Sequence, residues 1–162
     1  MTHARPRIGT AIGAGFVVTA VLTVLLYAGP AMGMPKMDVA AMLASLVTGE
    51  SPAEYGSWWW FGMIWHFLNG SINFPLLYAG IFAPWLPGDA WARGLWFGIL
   101  LWLAAQVFFN PIAGMGVFAS LAPNPGIMVV GSLLGHAVYG VILGALAGLQ
   151  VMLPRREAEL PR

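Results

Sequence analysis

Two histidines, His66 and His136, are the residues of this 162-residue sequence best placed to do chemistry, because each lies inside a long apolar stretch. An imidazole in hydrocarbon is costly unless a partner compensates it, so an intramembrane histidine marks a candidate site. Neutral imidazoles on two helices at one depth can hold a haem iron from both faces, which makes His66 and His136 candidate axial ligands to haem b. The same side chains can instead hydrogen-bond across helices, and Asn69, Asn73, Gln106, Asn110 and Tyr139 are the polar residues within reach of that role. The sequence has no cysteine, which removes disulfides, thiolate metal sites, iron–sulfur clusters and a cysteine nucleophile together. Met-x-Met spacing occurs once, at Met32-Gly-Met34, too little to argue for copper. No Asp, Glu, Lys or Arg falls in the middle of an apolar stretch, so no carboxylate relay for protons and no catalytic residue is expected.

The elements that position these residues follow from composition. Hydrophobic residues make up 59% and charged residues 8%, with a mean hydropathy of +0.79. Soluble domains carry roughly a quarter charged residues, so the solvent here is lipid. The fold class expected is all-α, an integral membrane four-helix bundle in a single domain. Its spans are expected at about 8–28, 57–83, 91–110 and 127–153. The first run, Ile8 to Ala28, is longer than the apolar core of a signal peptide and is expected to be retained. Asp38 is a plausible N-cap for a short interfacial helix over about 38–48, with Met42, Leu43, Leu46 and Val47 on one face. The clusters Trp58-Trp59-Trp60 and Trp85 read as interfacial belts. Residues 111–126 are uncharged and rich in Gly and Pro, which suits a segment dipping back into the membrane.

Basic residues set the orientation. Arg5, Arg7, Arg93, Arg155, Arg156 and Arg162 fall on one side of the expected bundle and only Lys36 on the other. Lys and Arg stay preferentially cytoplasmic, so both termini are expected in the cytoplasm after an even number of crossings. A net charge of +1 leaves no basic field for nucleic acid.

The chain also reads as two tandem two-helix repeats. Gly9-x-x-x-Gly13 followed by Pro30-Ala-Met-Gly-Met34 matches Gly94-x-x-x-Gly98 followed by Pro111-Ile-Ala-Gly-Met115. Gly62-x-x-x-His66-x-x-x-Gly70 matches Ser132-x-x-x-His136-x-x-x-Gly140. The alignment puts both histidines about 13 Å below the outer surface. Ser132, Gly140, Gly144 and Gly148 form one small-residue stripe beside His136, and Gly62 and Gly70 another beside His66. Stripes of this kind let helix backbones approach, so both are expected at helix-packing faces.

The glycine-rich first helix, the turn at 30–34 followed by Met37-Asp38, Trp65-His66-Phe67-Leu68-x-Gly70 and Gly135-His136-x-x-Tyr139-Gly140 together resemble a family of small uncharacterised bacterial four-helix inner-membrane proteins. The resemblance implies a bacterial inner (plasma) membrane location and no assigned activity. The expected function is a non-enzymatic accessory or scaffold subunit that meets the lipid bilayer and either a membrane-protein partner or further copies of itself. The alternatives are a small bis-histidine haem b electron-transfer protein, and a channel or carrier for a neutral solute lined by Asn69, Asn73, Gln106 and Asn110.

Overall fold

A computed structural model describes residues 5–33, 36–50 and 53–152, and Met34, Leu153 and the arginines of the C-terminal tail lie outside them. Among the described residues the chain is helical, without strands. We number the helices α1 (Ile8–Ala28), α2 (Val39–Thr48), α3 (the continuous helical run 57–82), α4 (Ala90–Ile112) and α5 (Pro125–Met152). Helices α1, α4 and α5 are long and apolar enough to cross a membrane. Helix α3 is as long but carries Trp58, Trp59, Trp60, Asn69, Ser71 and Asn73, which dilute its hydropathy. The architecture is an all-α membrane bundle with the short α2 set beside the N-terminal half of α3.

Proline shapes two of the long helices. Three five-residue stretches widen into π-turns, at Asn69–Asn73, Tyr78–Phe82 and Ala105–Phe109. Each ends two residues before a proline: Pro75, Pro84 and Pro111. A proline within a helix clashes with the carbonyl four residues back and offers no N–H. The wider turn relieves the clash, and the amide just before each proline bonds five residues back: Phe74 to Asn69, Ala83 to Tyr78 and Asn110 to Ala105.

Close crossings hold the bundle together. A Cβ added to Gly94 would fall on the Gly140 carbonyl, and one on Gly98 would fall on the His136 carbonyl, so α4 and α5 touch backbone to backbone. Helix α1 packs on α5 and on the π-turn of α3, where Gly15 meets Gly70 and Pro75, and Gly70 meets Thr19. The apolar core between these helices includes Val18, Tyr78, Phe97, Tyr139 and Leu143. Phe97 stacks against both Tyr78 and Phe82.

Two details of the sequence reading change. Helix α2 starts at Val39 with Asp38 as its cap, but it buries Ala40, Ala41, Leu43 and Ala44 and leaves Val47 55% exposed. The small face wins because Gly62 admits the α2 backbone at Ala40 directly, which bulkier residues would prevent. The Trp58-Trp59-Trp60 cluster also divides. Trp58 and Trp60 are half exposed, whereas Trp59 is buried because its indole N–H donates to the Asp38 carboxylate at 2.9 Å. The turn 113–124 contains a short 3-10 segment, Val117–Ala119, in which Phe118 and Ala119 both take positive φ.

Candidate functional site

His66 sits on α3 opposite Thr23 of α1, with Nε2 2.9 Å from the threonine hydroxyl. That hydroxyl lies 2.7 Å from the Thr19 carbonyl, which can only accept. The single hydroxyl proton is therefore spent on Thr19, and His66 must donate through Nε2–H. His136 on α5 bonds differently: its Nδ1 donates to the Ser132 carbonyl at 2.8 Å, which leaves the lone pair on Nε2. The two imidazoles thus hold opposite tautomers. They also stand in different surroundings, since α3 packs on α1 and α2, while α5 packs on α1 and α4.

The polar residues expected near the histidines fall into two pairs. Asn110 donates to Gln106 at 2.8 Å, buried in α4, and Gln106 donates to Ser132 of α5 at 3.3 Å. Asn73 donates to Asn69 at 2.8 Å, on an exposed face of α3. The pairs have the same i, i+4 geometry and sit on different helices, one turned into the bundle and one out of it. The structure does not bring the four carboxamides together along one path.

Tyr139 reaches from α5 to α3, where its hydroxyl donates to the Gly70 carbonyl at 2.6 Å. In the π-turn register the donor to Gly70 would be the amide of residue 75, and Pro75 has none. The phenol supplies the missing proton. Beside it, the buried Thr19 and Ser71 hydroxyls have no hydrogen-bond partner.

The small residues stand where helices meet. Gly62 faces α2 at Ala40, Gly70 faces Thr19 of α1, and Gly140, Gly144 and Gly148 face α4 at Gly94 and Ala90. Ser132 receives Gln106. The repeat does not extend to the partners: Gly94 and Gly98 are filled by α5, whereas nothing approaches within 4 Å of a Cβ built at Gly9 or Gly13. In the first half the contact has moved up α1 to Gly15 and Thr19.

A hub where the C-terminal end of α1 meets α2 and α3 escaped the sequence reading. Asp38 accepts from the Tyr27 hydroxyl at 2.8 Å, from the Trp59 indole and from the Ala41 amide at 2.9 Å, tying α1, α2 and α3 together. Burial works to raise the Asp38 pKa, but these three donors and the nearby Lys36 outweigh it and hold the carboxyl below its usual range. Thr23 was missed too, although Thr19 and Thr23, one turn apart in an otherwise apolar stretch, were a visible signal. Lys36 and Glu54 form an exposed ion pair at 2.8 Å.

No curated protein and no solved structure matches the chain. Residues 6–157, nearly the whole sequence, match the family of unknown function DUF6789, and the chain belongs to that family.

Proposed function

We propose that this chain is a non-enzymatic accessory or scaffold subunit of a bacterial inner-membrane assembly, with four crossings and both termini cytoplasmic. The observation that carries the reading is the use of the intramembrane polar groups: His66 on Thr23, Tyr139 on Gly70, and Gln106 on Ser132 all join one helix to another. Side chains spent on helix contacts are not poised for reaction, and what remains for function is association through helix faces. The cytoplasmic placement of the termini is supported by the arginine bias alone. Extraction of the tagged chain from its native membrane in polymer-bounded lipid discs tests the proposal. A stoichiometric membrane-protein partner, or further copies of the chain, is the expected recovery. A lone monomer contradicts it.

One observation favours a second reading. His136 holds its Nδ1 proton on a backbone carbonyl, the arrangement that orients an imidazole to ligate a metal through Nε2. A haem b protein would use that nitrogen, with a second ligand other than His66 Nε2, which donates to Thr23. Iron equimolar with purified protein would favour this reading, and iron-free protein would remove it.

A further inference from the structure

We propose that the Asn69–Asn73 carboxamide pair is an intramembrane docking site for a second copy of this chain. The proposal deepens the reading of the chain as an association subunit and rests on α3 crossing the bilayer. Asn69 stands at the midpoint of the run 57–82, so on that reading the pair lies near the centre of the hydrocarbon. The pair is nevertheless on the outside of the bundle, flanked by Leu68, Ile72 and Leu76, which are 39–46% exposed.

The chemistry of the pair is incomplete. Two carboxamides offer four N–H protons and two oxygens, and their mutual bond at 2.8 Å uses one of each. Among the described residues nothing else pairs with the remaining three protons or the Asn73 oxygen, and with Asn69 half-buried and Asn73 exposed in a lipid-crossing helix no water is at hand, so each unmet group is costly. The second half of the chain shows how such a pair is completed. Gln106 and Asn110 have the same spacing and the same 2.8 Å bond, and like Asn69 and Asn73 they lie in the turn ahead of a proline, but they are buried against α5, whose Ser132 receives the spare Gln106 proton. Among the described residues no helix does that for Asn69 and Asn73. Being donor and acceptor at once, a carboxamide pair is complementary to itself, so a two-fold arrangement of two copies meets both demands with one surface. The uncharged pair asks for no counter-ion, which fits another carboxamide better than a charged partner helix.

The sequence contains no cysteine, so single cysteines report without background. With Ile72→Cys in native membranes, mild oxidation is expected to give a disulfide-linked species of twice the monomer mass. Val24→Cys, on the exposed face of α1, is expected to stay monomeric. Adding Asn69→Leu and Asn73→Leu to Ile72→Cys should weaken association roughly three- to thirty-fold, the range for interhelical polar contacts in membranes. Asn73→Gln should retain it. Ile72→Cys remaining monomeric, linking to a different protein, or dimerising equally without the asparagines would each overturn the proposal. Labelling Ser57→Cys and Trp85→Cys with an impermeant maleimide separates this failure from failure of the four-crossing reading. Labels from opposite sides with no dimer would overturn the docking site alone, and labels from one side would overturn both.

Discussion

Pro75 withholds an amide from Gly70, and Tyr139, arriving from another helix, replaces it with a phenol at 2.6 Å. Tyr139→Phe leaves that carbonyl unmet and should lower stability by about 1 kcal/mol in detergent unfolding. Pro75→Ala restores a backbone donor, so Tyr139→Phe should cost measurably less in that background. A double-mutant cycle gives the test, with equal cost in both backgrounds contradicting the assignment. His66 and Thr23 are coupled in the same way, and the interaction energy between His66→Leu and Thr23→Val should be about 0.6 kcal/mol, the usual size for such bonds in membranes. Asp38 gives a pH dependence. Its folded pKa lies below the ordinary value, so the ionised form is the one the fold prefers. Its contribution is complete above about pH 4 and is lost as the pH falls through the depressed folded value. The protection factor of the Ala41 amide, its exchange relative to the intrinsic rate at the same pH, should therefore fall in acid, and Asp38→Asn should remove most of that dependence.

At the level of elements, helix crossings decide which glycines matter. A Cβ at Gly94 meets the Gly140 carbonyl, whereas one at Gly13 meets nothing. Gly94→Val should destabilise the fold by at least about 1–3 kcal/mol, as overpacking does, while Gly13→Val should leave monomer stability within about 0.5 kcal/mol. Unfolding midpoints of the two variants compare them directly. The sequence displayed both glycine pairs with the same spacing, and that sameness concealed the difference. Which pair is filled depends on where the helices cross: α5 meets α4 at Gly94 and Gly98, whereas α1 meets α3 further along, at Gly15 and Thr19. The helix bounds and the Asp38 cap were legible because apolar length, capping chemistry and proline are local. The π-turns were not recognised, although every one of the three ends two residues before a proline.

At the scale of the whole molecule, composition was enough to place the chain in a membrane, and three of its helices have the length and apolarity to cross one. What composition could not supply was the direction of each polar side chain. Two i, i+4 carboxamide pairs look alike in sequence, yet one is enclosed by α5 and the other faces outward. Two histidines in matching contexts hold different tautomers because one meets a threonine across a helix crossing and the other its own backbone. The candidate site is therefore a set of helix contacts spread over the bundle. That view, in which the histidines bind helices together and the chain acts by association, is tested most directly by a reduced-minus-oxidised visible spectrum of protein purified from haem-replete cells, beside His66→Ala and His136→Ala variants. We expect no haem band in any of the three; a b-type band in the unmodified protein, lost in either variant, would contradict the account.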